Sequence, residues 1–152
     1  MPFMEWNASL DLGIAEFDNQ HKQLVALLND LYDAMRGGHG KDVIGRILES
    51  LVQYTKTHFV DEEWFLKHNA YPDLAAHKAE HVLLTRQVLD AQKRYMAQGS
   101  GSLSVELLDF LKTWLSTHIQ KSDLKYRDYL SSRKAPKVGA PVIPPGTTAF
   151  RR

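Results

Sequence analysis

Four stretches of this chain carry inward-facing apolar residues at alternating steps of three and four, and each is interrupted by histidine, alone or with a carboxylate. The first stripe reads His21, Leu24, Leu28, Leu31, Met35. The second reads Ile44, Leu48, Leu51, Thr55, His58, Glu62, Phe65. The third reads Leu74, His77, His81, Leu84, Val88, Ala91, Tyr95, and the fourth Leu107, Leu111, Trp114, His118. No stretch sustains strand alternation. The spacing predicts helices over about 19–36, 41–68, 72–98 and 104–132. Asp18 or Asn19 is expected to cap the first helix, and Pro72 to sit in the first turn of the third. Gly37-Gly38, Asn69 with Pro72, and Gly99-Ser100-Gly101-Ser102 are the expected breaks. Four helices of this length with short connections imply an all-α fold, an antiparallel up-down-up-down four-helix bundle.

The expected domain spans 1–132, with 1–18 as an N-terminal arm. Residues 133–152 differ in kind: Pro136, Pro141, Pro144 and Pro145 lie among few large apolar groups, so an extended or partly disordered tail is expected. The 152 residues suffice for one domain with a core, at 43% apolar and 24% charged residues. A net charge of +1 gives no broad pull toward nucleic acid. No apolar run approaches the ~20 residues of a membrane span, and the N-terminus does not read as a secretory signal, so a cytoplasmic location is expected. There is no cysteine, which excludes disulfides, thiolate metal sites and a thiol nucleophile together. A metal site in this chain must use His, Asp and Glu, which suits iron, zinc or manganese.

In an up-down-up-down bundle the polar interruptions fall at one level. A buried amide or hydroxyl without a partner costs about 1–3 kcal/mol, and an ionised carboxylate costs more. Several in one layer could exceed a total stability of roughly 5–15 kcal/mol. A bound cation removes the difficulty, because it neutralises the carboxylates and coordinates the imidazoles. His58 with Glu62, and His77 with His81, are i, i+4 pairs that converge on one point. His118 and Asp123 are five apart, which in a regular helix leaves them roughly 140° from each other. Yet the inward stripe resumes as Asp123, Tyr126, Leu130, so one residue has been gained. A π-bulge near Ile119–Ser122 is expected.

The set Asp18-Asn19-Gln20-His21-Lys22-Gln23-Leu24, His58-xxx-Glu62, His77-xxx-His81 and His118-xxxx-Asp123 resembles the ligand pattern of the hemerythrins over about residues 5–130. The single-domain bacterial members are the most similar. The resemblance implies two iron ions with a bridging oxo or hydroxo group. It gives His77, His81 and His118 to one iron, His21 and His58 to the other, and Glu62 and Asp123 to both. Twelve coordination positions, less these donors and the bridge, leave one position open on the two-histidine iron. The implied function is reversible O2 binding, not enzymatic turnover, for carriage, storage or delivery to an oxygen-consuming enzyme. A monomer is expected. Phe59, Trp114, Leu115 and Ile119 match apolar O2-pocket positions, and Tyr126 lies close to Asp123. Sensing of oxygen or redox state, and a di-iron oxidase- or peroxidase-like enzyme, are the alternatives. His39 is expected in solvent, and His68 at the C-terminus of the second helix, where its charge would complement the helix dipole. Trp6 and Trp64 are expected to be packing residues.

Overall fold

A computed structural model describes residues 2–38, 41–99 and 103–132. The proline-rich tail, His39 and most of the Gly99–Ser102 connection lie outside the described residues. The helices are α1 (Ala15–Arg36), α2 (Lys41–His68), α3 (Leu74–Gln98), α4 (Val105–Thr117) and α5 (Leu124–Ser132). A π turn over His118–Asp123 joins α4 to α5 in one continuous rod, and its position is the one expected from the five-residue spacing. No strand occurs among the described residues. No described helix is long and apolar enough to cross a membrane.

Cross-links between helix ends fix the topology. The start of α1 meets the end of α2 through Gln20 and Asp61 at 3.1 Å, and the start of α2 meets the end of α3 through Glu49 and Gln92 at 2.6 Å. The start of α3 meets the π turn through Glu80 and Ser122 at 2.6 Å. Successive rods are therefore antiparallel, and the predicted up-down-up-down bundle is the observed fold.

The inward stripes of α1, α2 and α3 are buried almost throughout. The rod of α4 departs by one residue from its expected stripe. Leu108, Leu111 and Leu115 are buried, whereas Leu107 and Trp114 are only partly so. Steps of three and four can begin from either of two adjacent leucines, and packing selects Leu108.

Two helix starts also differ from expectation. α1 begins at Ala15, four residues early, with Ile14 as its cap residue. Asp18 does not cap this helix, because its carboxylate accepts from Leu12 N at 2.8 Å and Gly13 N at 3.0 Å in the preceding loop. α3 begins at Leu74, so Pro72 lies in the turn before it. α2 closes with a left-handed residue, Ala70, at φ 55°. There Tyr71 N donates to Leu66 O at 3.0 Å and Ala70 N to Lys67 O at 3.1 Å, the paired bonds of a Schellman ending. Tyr71 is thereby folded back onto the bundle end, where it is buried.

The arm is ordered along its described length. It holds a 3-10 turn, Ala8–Leu10, and buries Met4, Leu10 and Leu12. Each such leucine contributes roughly 1.5–3 kcal/mol relative to exposure. Asn29 clasps Met4 by both backbone groups, at 2.7 and 2.9 Å. Gln120 of the π turn donates to Ser9 Oγ at 2.7 Å. Trp6 is partly exposed beneath Lys22, and Trp64 stacks on exposed His68 at 3.8 Å, so both pack at the surface.

Candidate metal centre

Four rods bring His21, His58, Glu62, His77, His81, His118 and Asp123 into one buried layer, each at most 4% exposed. The π turn lets both His118 and Asp123 face it, since a regular helix would carry one of them away from the layer. The donor atoms form two groups. Glu62, His77, His81, His118 and Asp123 offer one mutually close set, and His21, His58 and Glu62 offer another.

Each carboxylate is divided between the two groups. Glu62 Oε1 lies 2.8 Å from His77 Nε2 and 3.0 Å from His81 Nε2, while its Oε2 lies 3.7 and 3.9 Å from His58 and His21 Nε2. Asp123 Oδ1 lies 3.1 Å from His77 Nε2 and 3.2 Å from His118 Nε2, and its Oδ2 is 3.2 Å from His21 Nε2. One oxygen of each acid thus faces two imidazoles of the three-histidine group, and the other faces the His21–His58 side, where Glu62 Oε2 lies near both rings and Asp123 Oδ2 near His21.

An outer layer sets the orientation of the rings. His58 Nδ1 donates to Gln20 Oε1 at 2.6 Å, and Gln20 Nε2 donates to buried Asp61 at 3.1 Å. His81 Nδ1 donates to Glu63 at 2.7 Å and His118 Nδ1 to Glu80 at 2.7 Å. With their Nδ1 protons committed outward, these rings turn Nε2 lone pairs into the site. Gln20, Asp61, Glu63 and Glu80 were not among the expected site residues. Each neighbours a stripe residue in sequence but points off the stripe, so periodicity does not flag it. Adjacency to the motif residues was the available signal.

Electrostatics follow from burial and proximity. Burial disfavours charge on His58, His21 adds repulsion, and its pKa falls to about 3. Burial also opposes charge on His77, but Asp123 and Glu62 outweigh it and raise its pKa to about 10. His118 is raised against burial by Asp123. Burial and their mutual repulsion would raise the acids, yet the surrounding imidazoles hold Glu62 and Asp123 well below the ordinary carboxylate range. Both acids are therefore anionic at neutral pH.

This donor set fits a pair of cations. His81 and His118 face each other Nε2 to Nε2 at 3.2 Å while both Nδ1 atoms serve carboxylates. As neutral rings they would set lone pair against lone pair, which a proton or a metal ion must relieve. Both oxygens of Asp123 are buried without a properly angled hydrogen bond, although three imidazole nitrogens stand close enough to hold its charge. Such atoms are costly unless something binds them.

The aromatic and aliphatic residues surround this layer. Phe59 stacks flat on His81 at 3.7 Å, and partly exposed Trp114 stacks on His118 at 4.6 Å. Ile119 is fully buried in the π turn. Leu115 lines a cavity of about 30 Å³ with Leu24, Leu51, Thr55, Leu84 and Leu111, one layer further into the bundle. Tyr126 donates to Glu62 Oε2 at 2.8 Å and packs among Phe65, Tyr71 and His77.

Comparison with known proteins agrees with this architecture. The family model of the hemerythrin HHE cation binding domain matches residues 12–130. The bacteriohemerythrin of Pseudomonas aeruginosa is 36% identical over 128 residues, 84% of this chain and 82% of that one. That of Methylococcus capsulatus is 36% identical over 135 residues, 87% of this chain and 100% of its own. The myohemerythrin of Theromyzon tessulatum is 29% identical over 126 residues, 83% of this chain and 92% of that one. A solved wild-type hemerythrin superposes with a TM-score of 0.77 at 34% identity, covering 85% of this chain and 98% of the other. A divided pair of buried acids among five imidazoles, carried on this bundle and matched over nearly its whole length, places the chain in the hemerythrin family.

Proposed function

We propose that this chain binds dioxygen reversibly at two iron ions. His77, His81 and His118 hold one ion, His21 and His58 hold the other, and Glu62 and Asp123 bridge them. The observation that supports the reading is the division of both acids, one oxygen turned to the His77–His81–His118 group and the other to the His21–His58 side. A pair of irons held by these residues, with an oxo or hydroxo bridge, would supply the two electrons of reversible binding, and the His21–His58 side, which offers one imidazole fewer, would leave room for the gas.

The chain's own part is to orient and to exclude. Gln20, Glu63 and Glu80 fix three imidazoles in the tautomer that presents Nε2 inward. Phe59, Ile119 and Tyr126 are buried beside the layer, Trp114 partly so, and Leu115 lines the apolar cavity next to it; these are the residues that would exclude water from the bound gas. The apolar cavity beside Leu115 stays dry and admits a small neutral molecule more readily than an ion. No general acid, nucleophile or substrate cleft is needed for reversible binding. The protein acts as a carrier, a store or a donor of oxygen to an oxygen-consuming enzyme. It works as a monomer in the cytoplasm, with residues 1–132 as the functional domain and 133–152 as a tail.

An optical experiment tests this. The iron-loaded protein is reduced without air, and air is then admitted. A carrier develops a charge-transfer band that fades when oxygen is withdrawn. A protein that instead consumes reductant continuously, or that stays colourless with iron bound, refutes the reading.

A further inference from the structure

Phenylalanines, tyrosines and one tryptophan, Trp114 on His118, surround the layer. Phe17 and Phe59, which cannot easily lose an electron, pack on His58 and His81. At the bundle end the neighbours are tyrosines. Tyr126, fully buried, lies 5.5 Å from the His77 ring and donates its hydroxyl to Glu62. Tyr71 follows at 6.1 Å from Tyr126, also buried. Tyr129 follows at 5.4 Å from Tyr71 and is partly exposed, with its hydroxyl on Ala70 O at 3.2 Å. The Schellman ending at Ala70 is what inserts Tyr71 between the other two. The hydroxyls of Tyr126 and Tyr129 are tied to Glu62 and to Ala70 O, so the three phenol rings are held in sequence.

We infer that Tyr126, Tyr71 and Tyr129 form a one-electron path from the metal layer to the surface, through which small phenol or enediol donors quench oxidising equivalents delivered by hydrogen peroxide. The inference rests on the metal reading above. The peroxide takes up two electrons and two protons and leaves as two waters. Two donor molecules supply the electrons, each losing one hydrogen atom at Tyr129. For each electron, Tyr126 is oxidised, Tyr71 refills Tyr126, and the vacancy passes on through Tyr71. Tyr129 refills Tyr71, releases its proton to water and is restored by the donor. Solvent returns one proton per electron to the peroxide, so atoms and charge balance.

The test treats the full iron-loaded chain with hydrogen peroxide. It combines freeze-quenched electron paramagnetic resonance with a nitroso spin trap and peptide mapping. The expected result is a tyrosyl signal in the wild type with trap bound at Tyr129. In Tyr71→Phe, which keeps the ring and its packing, the adduct at Tyr129 is lost and the signal persists at Tyr126. In Tyr129→Phe, donor oxidation falls while iron content and the thermal midpoint are unchanged. Tyr129 labelling that survives Tyr71→Phe, or wild-type labelling at Trp114, which stacks on His118, overturns the inference. Two irons per chain with no tyrosyl signal overturns it alone. Failure to bind iron overturns the metal reading and this inference with it.

Discussion

Replacing Gln20 by leucine removes one group from the interior and leaves two others without their contact. His58 Nδ1–H loses its acceptor at 2.6 Å, and the Asp61 carboxylate loses a donor at 3.1 Å. All three side chains are buried, so water does not replace the bonds. An orphaned buried donor costs about 1–3 kcal/mol and a lost bond to a charged group about 1.5–3. The metal-free variant is therefore expected to lose about 3–5 kcal/mol in denaturant unfolding. In a domain of this size each kcal/mol lowers the thermal midpoint by roughly 2–4 °C. The second effect is on metal affinity. His58 is freed to turn or to take the other tautomer, and loss of such support typically costs about 10–100-fold in affinity. The loss should fall on one of the two ions only, because His81 and His118 keep their own carboxylates. Titration calorimetry should show one site weakened and one unchanged. The double variant Gln20→Leu with Asp61→Leu should recover part of the stability, since the carboxylate that lost this donor is removed as well. Wild-type stability and two unaltered binding steps in Gln20→Leu would refute the argument.

Chelation should lower the unfolding midpoint strongly, since an ion present at a thousand times its dissociation constant adds about 4 kcal/mol to the folded state; differential scanning calorimetry with and without chelator checks this. The metal-free protein should be most stable near neutral pH. Below 6.5 the unfolded chain protonates His58 and the folded protein does not, so stability is lost as pH falls toward 3, by about 5 kcal/mol in total. His77 acts in the opposite sense: its contribution is complete below 6.5 and is lost as pH rises through about 10. Urea unfolding across this range would give a flat profile if these assignments are wrong. Ala70→Gly should stabilise the protein by up to about 1 kcal/mol, because glycine relieves the left-handed backbone at a modest entropic cost. A destabilised variant in equilibrium unfolding would count against that strain.

The bundle was legible because burial imposes one period on four long helices, and a period survives errors at individual positions. α2 was bounded correctly from its stripe and its terminal signals. The π turn was legible for a related reason, since the stripe broke phase between His118 and Asp123 and resumed. Features without a period were harder. Asp18 has the residue type of a helix cap, but three-dimensional proximity gave its carboxylate to Leu12 and Gly13, and α1 grew past it. Trp114 and Leu115 are both apolar neighbours, and only packing decides which faces inward. The supports Glu63 and Glu80 meet their histidines from other helices, 18 and 38 positions away, so no local pattern carries them. Tyr71 owes its place to a left-handed alanine, a conformation that sequence rules reserve for glycine or asparagine.

A divalent ion arriving at the metal-free protein meets unequal hosts. Three imidazoles stand on one side with the carboxylates of Glu63 and Glu80 directly behind them, whereas two stand on the other, backed by the neutral amide of Gln20 with the single carboxylate of Asp61 beyond it. Negative charge is densest on the first side, so the first ion settles there. The second must then enter beside a charge already in place, with fewer donors to receive it. Supplied with about one ion per chain, a population of these chains is expected to fill by halves, with singly loaded molecules outnumbering the doubly loaded.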